Sequence, residues 1–268
     1  MHDNLGMENF FSPKIRHTWG IEHCKTLSSL IDAHLQQARG ELRIYEVAGP
    51  PPASRIELHI EARTPPQLSL VLGDAIHNLR ASLDLMVGDL IRRANGEPDK
   101  HARFPFEKSA QQFERYRKGQ LSTLCPKVFD VLCDVVKPYD EGGDELLCAL
   151  HALDIQDKHL AIVPSVEALR VDDLSAATDL GPVIEHCTFA AVGGSGRYRL
   201  YEGPPGLKIT NAGHIALQVV FPSGPLEGHQ VIPSLERMAF AVRFAIEAME
   251  AAALGTTIPS RPHAPPTW

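Results

Sequence analysis

Apolar residues recur every three to four positions in four stretches of the chain and alternate with polar ones in several others. The first stretch, about 21–42, puts Cys24, Leu27, Ile31, His34/Leu35, Ala38 and Leu42 on one stripe and predicts a helix. A break at Pro50-Pro51-Pro52 follows, flanked by 41–47 and 55–62. Ile56, Leu58 and Ile60 alternate in the second flank, so a short hairpin is expected there. A second helix is expected after Pro65-Pro66, with the seam Leu72, Ile76, Leu79, Leu83, Met86/Val87 and Leu90, running to about 94 where Asn95-Gly96 stops it. Phe104-Pro105-Phe106 reads as a connector that pins aromatics against a core. Short helices are expected at 110–118 and 126–136, the latter with Pro126 at its tolerated first position. Lys137-Pro138-Tyr139 breaks the pattern, and a third long helix spans about 144–160.

Beyond 161 the period changes. Residues 183–192, 197–201 and 214–221 read as strands, and Gly193-Gly194-Ser195-Gly196 reads as a hairpin turn between the first two. Leu235, Met238, Val242, Ile246 and Met249 predict a last helix over 234–253. The stretch 257–268 carries four prolines and is expected to be a mobile tail. The predicted fold class is therefore α+β: a mainly helical bundle (21–160 and 233–254) with a β-rich insertion at about 161–225 before the C-terminal helix, in a single domain over 1–268.

Composition narrows the function classes. The 268 residues are 44% hydrophobic and 22% charged, with a net charge of -7, opposite to the sign a duplex-binding protein normally carries. No apolar run reaches the ~18 residues of a membrane-spanning helix. Met1-His2-Asp3-Asn4 lacks the basic-then-apolar sequence of a signal peptide. The five cysteines show no Cys-x-x-Cys spacing, which argues against a disulfide framework or a cysteine zinc site. A reducing, cytoplasmic setting is expected.

Two helices carry the candidate chemistry. His77, Arg80 and Asp84 are spaced three then four apart, so they share one face at the border of the apolar seam. An Arg80–Asp84 ion pair on a solvated face is the plainer reading of the same spacing. In the third helix the seam Leu146, Leu150, Leu153 continues to Asp157. A carboxylate in a core position needs a cation, hydrogen bonds or a metal, so Asp157 is expected to be buried against Arg80 or, second, His77. His159 lies on a small-residue face with Cys148, Ala152 and Ile155, as a site residue or a satisfied core histidine. The face of His151, Asp154 and Lys158 reads as solvated surface. The expected catalytic set is thus His77, Arg80, Asp84, Asp157 and His159, with Lys158, Tyr139 and Asn78 as substrate contacts.

The pattern Gly-Asp-x-x-His-Asn-Leu-Arg-x-x-Leu-Asp over 73–84 is followed by Phe104-Pro105-Phe106, Pro138-Tyr139 and Asp157-Lys158-His159. Over about 68–160 it resembles a widespread set of bacterial and phage proteins whose members mostly carry no assigned activity. In that family the last motif usually continues with Arg, where this chain has Leu160. The bundle is also loosely similar to HEPN domains, many of which cleave RNA with an Arg and a His separated by four to six intervening residues. No helix expected here has that spacing.

Three functions follow as expectations. The first is a hydrolytic or related enzyme, in which a His or carboxylate activates water and Arg80 or Lys158 holds a small anionic substrate. Its two histidines and two carboxylates would also serve a divalent metal, so the cofactor is either none or such a metal. The second is a non-catalytic binding or assembly protein whose polar residues fix helix register. The third is a HEPN-like RNA-cleaving module, against which the net charge weighs. Neither nucleic acid nor membrane is an expected partner.

Overall fold

The computed structural model describes residues 10–61, 63–190 and 196–261. Helix α1 spans Phe11–Gln37, followed by the antiparallel strands β1 (Arg39–Val47) and β2 (Ala53–Glu61). Helix α2 is Pro66–Arg93. It starts with Pro at its first position and stops where Asn95 turns left-handed (φ 60°) and the Gly96 N–H reaches back to the Ile91 carbonyl at 2.9 Å. The connector leads into β3 (Glu107–Ser109), α3 (Ala110–Phe113), α4 (Gln120–Leu124), α5 (Pro126–Val131) and β4 (Tyr139–Glu141), and β3 and β4 pair in parallel. Helix α6 is Glu145–His159, capped by Asp144, whose carboxylate accepts from the Leu146 and Leu147 N–H groups. Strands β5 (Ser165–Thr178), β6 (Gly181–Ala190), β7 (Arg197–Gly203), β8 (Lys208–Asn211) and β9 (His214–Val220) precede helix α7, Val231–Leu254.

The α+β architecture is as the periodicity predicts: several helices, and a β-rich region before the last one. Helix α2 is central, packed against α1, α6 and α7, with Leu72, Ile76, Leu79 and Leu83 fully buried. Helices α1 and α2 approach closely at Gly20, where a Cβ would lie 2.9 Å from the Leu79 side chain. Leu150 and Leu153 of α6 join this core, whereas Leu146 is half-buried and Leu147 takes the inward position. No helix among the described residues is long and apolar enough to cross a membrane.

The β-rich region departs from the expectation in two ways. Strand β7 does not pair with β6. It crosses to the N-terminal hairpin, giving one sheet in the order β1-β2-β7, while β6, β8 and β9 all pair with β5. The strands on either side of the glycine run thus do not pair with each other, and the expected turn at 193–195 lies outside the described residues. The two sheets share a second core of Ile56, Leu58, Val171, Leu174 and Tyr198, so the region is tied to the chain's beginning rather than inserted as a separate block. The longest strand, β5, escapes the periodicity because Asp173 is left-handed (φ 62°) and the register shifts between Val171 and Leu174. Of the expected tail, 257–261 has no regular structure and 262–268 lies outside the described residues.

Candidate functional site

Helices α2 and α6 meet antiparallel, and their polar side chains pair rung by rung. Gly73 faces Asp157, His77 faces Asp154 and Arg80 faces His151. Each step forward by about one turn on α2 is a step back by one turn on α6, so residues three or four apart line up across the crossing. This register decides which of the expected residues meet.

The middle rung is a carboxylate–imidazole pair. Asp154 is almost fully buried; one of its oxygens lies 3.1 Å from His77 Nδ1, and the other accepts from Lys158 Nζ at 2.5 Å. A carboxylate only accepts, so His77 Nδ1 is the donor, and in the neutral ring Nε2 carries the lone pair. The His77 side chain is 56% exposed, which opens that nitrogen to solvent.

The next rung is built around Arg80, whose side chain is only 7% exposed. Its guanidinium donates to Asp84 at 2.7 Å and, through Nε, to His151 Nδ1 at 3.3 Å. Asp84 also accepts from the Phe104 N–H at 2.8 Å, which ties the connector to α2. Phe106 lies 4.6 Å from the Arg80 guanidinium and stacks on the His151 ring at 4.4 Å, with the planes 6° apart. Arg80 only donates, so His151 Nδ1 carries the lone pair and its proton sits on Nε2. Burial first, and the Arg80 charge second, hold the His151 pKa below the ordinary imidazole value, which keeps the ring neutral.

The expected residues divide accordingly. His77, Arg80, Asp84 and Lys158 are brought together. Asp157 does turn toward α2, as its seam position implies, but it is half-buried over Gly73 and accepts from the Ile162 N–H at 3.4 Å. It meets neither His77 nor Arg80, because the antiparallel register puts them about one and two turns further along α2, respectively. His159 is exposed at the end of α6, away from the pairs. Asn78 faces α1, accepting from Arg16 at 2.9 Å, and Tyr139 is buried beside Phe113. Neither lines the clefts beside the ladder. The four-ligand metal set therefore does not converge, and no group of three or more His, Cys, Asp or Glu among the described residues could hold a metal ion. The face of His151, Asp154 and Lys158, expected to be solvated, is the α2-facing side of the site. Its signal was the His151–Asp154–Lys158 spacing of three and four, which repeats that of His77–Arg80–Asp84 on α2.

An open cleft of about 1020 Å³ lies beside the Arg80 end of this ladder, lined by Arg80, Asp84, His151, Asp154 and Lys158 and by most of the connector between Lys100 and Phe106. A second cleft of about 690 Å³ adjoins it and shares Phe106, Arg115, His151 and Ile155. The chain matches no known family profile, no curated protein and no solved structure.

Proposed function

We propose that the chain is a hydrolase acting on a small anionic molecule held in the larger cleft. The observation that carries this reading is the Asp154–His77 pair, whose carboxylate lines the cleft. Asp154 fixes the imidazole in the tautomer whose Nε2 takes a proton, the arrangement a general base needs. Water attacks the substrate's electrophilic centre and gives its proton to His77 Nε2, which returns it to the leaving group. His151 Nε2–H, held by Arg80 through the far side of its ring, donates to the oxygen on which charge develops. Lys158 and the connector's cations hold the anionic group. All five cysteines are free thiols, which supports a reducing, cytoplasmic setting.

The test is turnover of chromogenic carboxylic esters, phosphomonoesters and phosphodiesters by the wild type and by His77→Gln. Loss of a general base lowers kcat by about 10²–10⁴-fold while melting behaviour is kept. Full activity in His77→Gln, or no turnover of any substrate by the wild type, sinks the reading. One observation favours the non-catalytic alternative: Arg80 and Asp154 are buried and each holds two side-chain partners, as a network that fixes helix register would. In that case His77→Gln shifts the melting temperature and nothing else.

A further inference from the structure

Five cations line the larger cleft, Arg80, Lys100, Arg103, Arg115 and Lys158, against two carboxylates, Asp84 and Asp154. Both carboxylates are already engaged, Asp84 by Arg80 and the Phe104 N–H, Asp154 by His77 and Lys158. Arg115 pairs with Glu107 at the boundary between the two clefts. That leaves Lys100 and Arg103, whose side chains have no hydrogen-bond or ion-pair partner among the described residues. In a chain of net charge -7, this cleft is a local positive excess.

The excess sits on a built loop. The Gln120 amide closes on both ends of the 97–99 segment, donating to the Glu97 carbonyl at 2.7 Å and accepting from the Asp99 N–H at 3.2 Å. The Asp99 carboxylate accepts from the His101 N–H, and Asp84 anchors the Phe104 N–H. Lys100 and Arg103 therefore project from a segment fixed to α4 at one end and to α2 at the other.

From this we infer that the cleft binds the di- or triphosphate group of a small molecule. The inference deepens the hydrolase reading and rests on it only for the claim that the bound molecule is the substrate. A single carboxylate would neutralise one of the two unpartnered cations. A phosphate chain carries several charges within a few ångströms and offers oxygens to both the guanidinium fork of Arg103 and the ammonium of Lys100. Lys158 has three N–H donors, of which Asp154 takes one, and its side chain is 56% exposed. Phe104, Phe106 and Tyr116 line the same cleft and give the remainder of the molecule an apolar wall. A polyanion longer than the cleft would run onto a molecule whose remaining charge is negative, so the ligand is small.

Binding without turnover tests this on the full-length protein. Tripolyphosphate, pyrophosphate, inorganic phosphate, citrate and a single-stranded RNA oligonucleotide are titrated by calorimetry at fixed ionic strength. Tripolyphosphate should bind tightest, then pyrophosphate, then phosphate. The double variant Lys100→Ala/Arg103→Ala should bind it at least about tenfold more weakly, the scale of losing one charge-assisted hydrogen bond, with an unchanged melting curve. Lys25→Ala, far along α1, should bind as the wild type does. No binding of tripolyphosphate, or equal binding by the double variant, overturns the inference. Citrate binding as tightly overturns the phosphate assignment, and the oligonucleotide binding more tightly through the same two cations overturns the small-ligand one. Because no reaction is read, a failed hydrolase assay leaves this result standing, and a failed titration leaves His77 chemistry standing.

Discussion

Replacing Gly73 by Ala tests the antiparallel register directly. A Cβ at that position would lie 2.5 Å from one Asp157 oxygen and 3.0 Å from its Cγ and other oxygen. Two effects oppose each other. Within a helix, Ala is favoured over Gly by about 1 kcal/mol. Against that, the carboxylate must turn off the α2 surface. Its hydrogen bond to the Ile162 N–H is long, at 3.4 Å, so losing it costs little, but the end of α6 must also give way. Overpacking of this kind costs about 1–3 kcal/mol. The single variant should therefore be destabilised by about 1 kcal/mol. Asp157→Ala removes the obstructing atoms, and in that background Gly73→Ala should stabilise by about 1 kcal/mol. The coupling between the two sites is then about 2 kcal/mol, well outside the ~0.5 kcal/mol within which independent sites add. Urea denaturation of the four proteins measures it, provided the m-values agree. If Gly73→Ala changes stability equally in both backgrounds, Asp157 does not rest on Gly73. The rungs above it, His77–Asp154 and Arg80–His151, would then lose their common register.

Arg80→Met keeps the aliphatic packing but strands two partners, leaving Asp84 with only the Phe104 N–H and His151 Nδ1 without a donor. A loss of about 2–4 kcal/mol in urea melts is expected, and one below about 0.5 kcal/mol would mean that the pair behaves as a surface ion pair. Stability should fall as the pH drops below about 6.5: burial holds the His17 and His151 pKa values below that of the unfolded chain, so the unfolded state takes up protons there that the folded state does not. Urea midpoints at about pH 7.5 and about pH 5.5 read this, and a midpoint that is flat or rises on acidification contradicts it. Burial also pushes the Cys24 thiol up to about 12 and the Cys148 thiol up as well, so both should react last with a disulfide reagent on the folded protein. Peptide mass spectrometry should find the half-buried Cys187 modified first; Cys24 or Cys148 ahead of it would refute their burial.

The long apolar seams were readable because one partner surface fixes each of them. Leu72, Ile76, Leu79 and Leu83 are buried as their spacing requires, and Pro66 and Asn95-Gly96 bound α2 where the sequence places its ends. The beginning of α1 was not readable, since its inward positions are Pro13, His17 and Gly20, which carry no apolar period. His17 is accommodated by a hydrogen bond between Nε2 and the Ala239 carbonyl, and Gly20 by the close approach of Leu79. The site splits along the same line. A helical wheel gives the face of each residue but not which turn of one helix meets which turn of another. His77, Arg80 and Asp84 share a face on that evidence alone. Pairing Asp157 with Arg80 required a register, and the actual register moves Arg80 two turns away, onto His151. A wheel also treats a polar stripe beside a seam as solvated, so it does not distinguish His151 and Asp154 from ordinary surface residues. Two helices that each carry charged residues three and four apart beside an apolar seam can satisfy those groups on one another, at a cost in desolvation that excellent geometry offsets. Here the offset is visible in the donor count: Asp154 meets His77 and Lys158, and Asp84 meets Arg80 and Phe104, before any ligand enters the cleft. What remains open to a ligand is what those bonds do not use: the His77 and His151 Nε2 positions and the cations of the connector.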